Sequence, residues 1–245
     1  MIPIKNSKDL EKMRKAGRIT GDVLKYIEEF IKPGVSTLEL DAKIEEFIKK
    51  AGAKPGFKGL YGFPGSACIS VDEIVVHGIP SERELKEGEI VSIDVGAKID
   101  GFNGDAARTF AVGKISEEKQ RLIDVTKQSF FEGIKHARAG RRLGDMQSAI
   151  QQYVEQNGYS VVRSMCGHGI GRALHEDPSI PNYGRPNTGV MLKSGYCLAV
   201  EPMVNAGSYQ VEINGWLCRT VDRKPSAHYE NTIIVTNGDP EIITL

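Results

Sequence analysis

The chain has 245 residues, 40% of them hydrophobic, and its 32 Lys and Arg are balanced by 32 Asp and Glu. That length supports a substantial core without disulfide staples. The even charge, with no long block of one sign, excludes a dedicated nucleic-acid binder, and no run approaches the roughly 18 apolar residues of a membrane span.

From the start, MIPIKNSKDLEKMRKAG lacks a continuous apolar h-region, so an unexported, cytoplasmic protein is expected. A long helix is predicted over about 7–31. From Ser36, STLELDAKIEEFIKKAG carries Ser36 and Glu39 in capping-box spacing, then Leu40, Ile44, Phe47 and Ile48 on one face, closed by Gly52. LKEGEIVSIDVG at 85–96 and GDAARTFAVG at 104–113 read as strands. Their connection contains two turn signals, Asp100-Gly101 and Asn103-Gly104. A hairpin centred near residue 100 would set Asp94 nearly opposite Asp105, with Cβ atoms about 5 Å apart.

Past a junction near residue 115 the pattern restarts. A long helix is predicted over about 116–138, and GDMQSAIQQYVEQNG forms a second amphipathic helix through Met146, Ile150, Tyr153 and Val154. CGHGIGRALHEDP at 166–178 then places His168 and His175 in a segment too rich in glycine for a regular helix. Off a helix, the two imidazoles can serve different roles. LKSGYCLAVEPM at 192–203 and YENTIIVTNG at 229–238 are the last strands. The cysteines, Cys68, Cys166, Cys197 and Cys218, form no C-x-x-C pair, so reduced thiols are expected.

The two helix-plus-strand units match each other. Leu40, Ile44, Phe47 and Ile48 answer Met146, Ile150, Tyr153 and Val154 at one constant offset, and Gly34 and Gly52 answer Gly140 and Gly158 at the same offset. Such agreement points to an internal duplication. Strand alignment extends it, with Asp94 falling on Glu201 and Asp105 on Glu230. Amphipathic patterning does not explain acidic residues landing on acidic residues inside apolar strands.

A carboxylate among buried apolar neighbours is costly unless paired or metal-bound. Asp94 and Asp105 therefore call for something cationic between them: a lysine or arginine, a shared proton, or a metal ion. Arg108 is near in sequence, but strand alternation puts it on the other face from Asp105. The second acidic pair, Glu201 and Glu230, shifts the balance. Four carboxylates and an imidazole, brought together across a pseudo-twofold, would make a binuclear site suited to Mn, Fe(II), Co or Zn and to metal-assisted hydrolysis.

VDEIVVHGIP, SIDVGAKIDGFNGDAARTF, CGHGIGRALHEDPSIPNYG, LAVEPMV and SAHYENTIIVT, in this order and spread over nearly the whole chain, resemble the methionine aminopeptidases of the short bacterial type I form. The resemblance implies an α+β "pita-bread" fold around a central antiparallel sheet. It implies one catalytic domain over 1–245, with halves of about 1–115 and 116–245. The implied activity is removal of the initiator methionine from nascent polypeptides when the second residue is small, by a monomer carrying two divalent ions.

Carried over by position, Asp94 and Asp105 would hold one ion. Asp105 would bridge to a second ion held by His168 and Glu201, and Glu230 would bridge both. Glu201 would also serve as general base. His175 would bind the substrate and the developing tetrahedral intermediate, and His77, in HGIP, would contact the scissile amide. Phe57, Leu60, Phe63, Cys68, Leu174 and Trp216 would line the methionine pocket, with Leu60 and Leu174 where aromatic residues are common. His228 shares strand phase with Glu230 but has no ligand role in the pattern, which leaves it beside the ligands or on the surface. A transient ribosome contact through Arg219, Arg223 and Lys224 is conceivable from the task. Proline-specific relatives of this fold carry a large additional N-terminal domain, for which the sequence leaves no room.

Overall fold

The computed structural model describes residues 2–245. The first half runs through α1 (Ser7–Glu28), α2 (Thr37–Lys50), β1 (Lys54–Pro55), a 3-10 turn at Leu60–Gly62, β2 (Ala67–Val71), β3 (Ile74–Val76), β4 (Ile90–Ile99) and β5 (Phe102–Ala111). The second half begins with α3 (Glu117–Ile134), α4 (Leu143–Gln156), β6 (Ser160–Val161), β7 (Gly167–Gly169), β8 (Glu176–Ile180) and β9 (Cys197–Val200). It continues through β10 (Met203–Asn205), β11 (Val211–Asn214), β12 (Leu217–Thr220), β13 (Ser226–His228), β14 (Asn231–Ile234) and β15 (Glu241–Ile242). Every strand ladder is antiparallel. Among the described residues no helix is long and apolar enough to cross a membrane.

Local chemistry sets the helix starts. Glu39 N donates to Ser36 Oγ at 3.1 Å while Ser36 N donates to Glu39 Oε2 at 2.8 Å, which closes the capping box of α2. In α4 the same back-reach is made by Asp145, which accepts from Arg142 N at 3.1 Å. Two helices are shorter than their patterns suggest. α1 stops at Glu28, ahead of Lys32-Pro33, where the residue before proline is steered out of the helical region. α3 stops at Ile134 because the chain beyond is captured elsewhere: Ala139 N and Gly140 N donate to Thr236 O and Leu192 O, each at 2.9 Å.

The register of the β4–β5 hairpin corrects the expected one. Asp100 (φ 51°) and Gly101 (φ 81°) alone form the turn, and Ile99 faces Phe102. Two consecutive positive φ values mark the tight hairpin turn that follows the strand twist. Asn103-Gly104, the second turn signal, lies inside the strand. Asp94 consequently faces Ala107, and Asp105 faces Gly96, so the two aspartates are diagonal neighbours on one face rather than a directly opposed pair.

Two backbone bonds stitch β5 to the second half: Glu230 N donates to Ala107 O at 2.9 Å and Ala107 N to Glu230 O at 3.4 Å. Thr232 Oγ1 accepts from Asp105 N at 3.0 Å and donates to Asp105 O at 2.8 Å. In the first half β4 and β5 are joined by a two-residue turn, whereas β10 to β13 intervene between β9 and β14. That insertion is why the two acidic pairs match at different offsets in sequence.

The larger apolar clusters separate largely by half. One is built on α2 and the β2–β4–β5 layer, and the other on α3, α4 and β9 with β14. A third draws Met13, Phe57, Phe63 and Phe102 together with Ile170, Leu174 and Ala199. α1 lies directly on the hairpin, and a Cβ added to Gly104 would sit 2.8 Å from the backbone of Ala16 and Gly17. Gly104→Ala is therefore expected to lower stability by about 1–3 kcal/mol through overpacking, read as a reduced urea midpoint at unchanged slope.

Candidate metal centre

The β5–β14 seam decides the site. It sets Asp105 and Glu230 on adjoining backbone, and β4 adds Asp94 on the same face. β7 pairs with β9 so that His168 faces Ala199, two residues before Glu201. Close approach here depends on Gly167, where a Cβ would stand 3.3 Å from Glu201 Cγ and would collide with Ala199 O.

His168 Nε2 lies 3.6 Å from Asp105 Oδ2 and 3.7 Å from Glu201 Oε1. Its Nδ1 is bonded to Gly169 O at 2.9 Å, which leaves Nε2 as the atom turned toward the carboxylates. Two groups of side chains bring ligand atoms within 4.8 Å of one another: Asp105, His168 and Glu230, and Glu201, His228 and Glu230. Asp94 Oδ1, Asp105 Oδ1 and Glu230 Oε1 are buried and have no hydrogen-bond partner. Orphaned buried oxygens of this kind are rare in folded proteins. Carboxylate and imidazole donors with unused lone pairs fit hard or borderline divalent cations. Arg108 does not neutralise them. Its guanidinium is turned away, to the carbonyl oxygens of Ala107 and Glu230 and to Asn231 Oδ1.

Burial pushes Asp94 up to about 7 and Glu201 up to about 8. Burial first, and neighbouring carboxylates second, raise Asp105 and Glu230 well above the usual range. Burial also lowers His77, His168 and His228 to about 4, so near pH 7 each imidazole is neutral with a lone pair available. Cys166 is raised, by burial and then by Glu201, and stays a thiol rather than a nucleophilic thiolate.

Around these groups is a cavity of about 570 Å³. Asp94, Asp105, His168, Glu201 and Glu230 line it together with His77 and His175 and with the apolar Phe57, Leu60, Phe63, Cys68, Leu174 and Trp216. Phe63 and His77 both meet Trp216 edge-on, at 5.2 and 6.1 Å between ring centroids. His77 itself adopts φ 62°, a conformation that bulky residues avoid. The next residue, Gly78, is tied to β2: its N donates to Ser70 Oγ at 3.1 Å and its carbonyl accepts from Ile69 N at 2.9 Å. His175 sits at the rim, its ring edge-on to His168 at 4.5 Å.

The sequence pattern did not reveal Tyr61, Met165 and Met203, which also line the cavity, nor that the Tyr61 ring stacks on His175. It also left His228 undecided. That side chain is 1% exposed, with Nε2 3.6 Å from Glu201 Oε2 and 3.9 Å from Glu230 Oε2, so the surface alternative is overturned. Strand phase with Glu230 was the available signal. Of the basic run Arg219, Arg223 and Lys224, both arginines share one partner, Glu212.

The family model of metallopeptidase family M24 matches residues 11–237. A methionine aminopeptidase of Clostridium perfringens is 56% identical over 100% of this chain and 99% of its own length. The chain belongs to metallopeptidase family M24, among the type I methionine aminopeptidases. Methionine aminopeptidase 1 of Bacillus subtilis is 51% identical over 100% of this chain and 99% of its own length. The crystal structure of methionine aminopeptidase from Rickettsia prowazekii superimposes with a TM-score of 0.98 at 45% identity, covering 100% of both chains. The pita-bread fold reaches further, to a prolidase from Pyrococcus furiosus at TM-score 0.82 and 24% identity, where the chain covers 99% of itself and 65% of that protein.

The raised carboxylates give a test of the centre without any substrate. A group whose folded pKa lies above its unfolded value loses its stabilising contribution as pH rises through the folded value. Between about pH 6.5, the ordinary histidine value, and about 8, set by Glu201, the lowered histidines no longer contribute a slope. Over that window the thermal midpoint of chelator-stripped protein is expected to fall with rising pH, and added Mn(II) or Co(II) is expected to abolish the fall.

Proposed function

We propose that this chain removes the N-terminal methionine of nascent proteins and peptides when the second residue is small, working as a metal-dependent monomeric aminopeptidase whose two halves act as one catalytic body. The observation that carries the reading is the single cavity in which buried carboxylates and imidazoles with unused lone pairs adjoin an apolar wall. Asp94 and Asp105 are assigned to one divalent ion. Asp105 would also hold a second, with His168 and Glu201, and Glu230 would complete both ligand sets. The oxygen-rich set with imidazole suits Co, Mn, Fe(II) or Zn. Two such ions supply Lewis acidity and a water acidified toward neutral pH.

The chain's own residues divide the remaining work. Glu201, which faces His168 at 3.7 Å beside the cavity, takes the proton of the attacking water and passes it to the departing amine. His175, neutral at the rim, donates a hydrogen bond to the scissile carbonyl oxygen as negative charge develops there. His77, held in its unusual backbone conformation, contacts the scissile nitrogen. The unbranched, polarisable methionine side chain packs against Phe57, Leu60, Phe63, Cys68, Leu174 and Trp216, an apolar wall that also excludes water.

The decisive measurement is release of methionine from Met-Ala-Ser and Met-Leu-Ser by stripped enzyme after single divalent ions are added. Metal-dependent cleavage of the first peptide alone is expected, and no release from it would sink the proposal. His168→Ala is expected to weaken metal binding, measured by calorimetry. His175→Ala is expected to keep its metal content while kcat falls on the order of 10²- to 10³-fold.

A further inference from the structure

Lys5 stands far from the catalytic residues in sequence, yet its side chain is only 4% exposed. Its ammonium nitrogen lies 2.7 Å from Glu176 Oε2, and the Glu176 side chain is 13% exposed. Glu176 immediately follows His175 and begins β8. Lys5 is cut off from water, so its ammonium depends on Glu176 for a charged partner, and that fixes the geometry of the contact.

The segment that carries His175 needs such a restraint. Gly167 and Gly169 lie in β7, paired with β8 and β9, so the freedom is in the loop from Ile170 to His175, where Gly171 stands. Three contacts remove that freedom. Asn103, on β5 two residues before Asp105, donates from N to Gly171 O at 2.9 Å and from Nδ2 to Gly171 O and Arg172 O at 2.9 and 3.1 Å. Glu176 Oε1 accepts from Ala173 N at 3.2 Å. Lys5 then holds the other oxygen of the same carboxylate, while its own backbone N donates to Gly195 O at 3.0 Å. Gly171 is the residue that makes room: a Cβ there would stand 2.6 Å from Glu176 Oε1 and 2.7 Å from Lys5 Cε.

We propose that Lys5 is a positioning residue for the reaction: its buried contact with Glu176 fixes the glycine-rich segment 169–176 and thereby aims His175 into the cavity. This rests on the role given above to His175. The contact supplies no chemistry and touches no substrate. What it supplies is the placement of an imidazole whose hydrogen bond is worth most when it is already aligned.

The test uses the full chain loaded with Mn(II) and Met-Ala-Ser as substrate. Lys5→Met is expected to lower kcat by about 10- to 100-fold, with KM within about twofold and the bound Mn(II) per chain unchanged. In a Lys5→Met/His175→Ala double variant kcat is expected to equal that of His175→Ala alone, because a residue acting through His175 has nothing left to position. Lys5→Arg is expected to recover most of the loss. If Lys5→Met does not fold, Glu176→Gln carries the same cycle, with the same expected non-additivity. Wild-type kcat in Lys5→Met, or a further loss of equal factor on top of His175→Ala, would overturn the inference. Wild-type kcat in His175→Ala would instead remove the reading of His175 itself.

Discussion

Four carboxylates line one cavity of this molecule, Asp105 and Glu230 buried and Asp94 and Glu201 partly so, and the fold has to hold them there against both desolvation and mutual repulsion. Moving Glu201 from an ordinary 4.5 to about 8 corresponds to a bias on the order of 5 kcal/mol against its charged form. Asp105 and Glu230 are only 3% and 2% exposed; beyond burial, Asp105 is pushed up by Asp94 and Glu201, and Glu230 by Asp105, Glu201 and Asp94. No chain would settle on such an arrangement for stability alone. Its surroundings are correspondingly rigid: seam bonds between Ala107 and Glu230, the paired hydrogen bonds of Asp105 with Thr232, and an apolar shell contributed by both halves.

Two similar helix-plus-strand segments, before and after residue 115, meet the same constraint. Each half offers an acidic strand pair, but the halves have diverged in what they place around it. The first keeps a tight β4–β5 hairpin and supplies much of the apolar wall. The second opens the equivalent connection to insert β10 to β13, and this insertion delivers Trp216 to the cavity and sets His228 behind Glu201 and Glu230. Symmetry thus builds the carboxylate cluster, and asymmetry turns it into a pocket with a closed apolar side and a histidine-bearing rim.

Much of this was legible in the chain because it is written in local rules. Ser36 and Glu39 announce α2 through the capping box, and apolar spacing identifies α4 as its counterpart. Acidic residues inside apolar strands expose Asp94, Asp105, Glu201 and Glu230. Asp100-Gly101 marks the hairpin turn, but a turn centred near residue 100 leaves the exact pairing open by one step, and only the strand partners set Asp94 opposite Ala107. His228 stayed ambiguous because alternation specifies a face without saying what lies across it. Tyr61, Met165 and Lys5 were hidden for a stronger reason. Their roles depend on contacts between segments far apart in sequence, such as Lys5 with Glu176, for which no local pattern exists.

The small-residue face of α1 carries a consequence for how the molecule is made. Gly17 and Gly21 lie against the backbone of Ile243 and Thr244, and Thr244 O and Asn231 Oδ1 both receive hydrogen bonds from Arg108, whose other contacts run to Glu230 O. α1 is therefore completed by the segment that follows β15, across almost the whole length of the fold. Long-range closure of this sort is slow relative to local pairing. The carboxylate face is thus sealed by contacts that local folding of either helix-plus-strand segment cannot supply by itself.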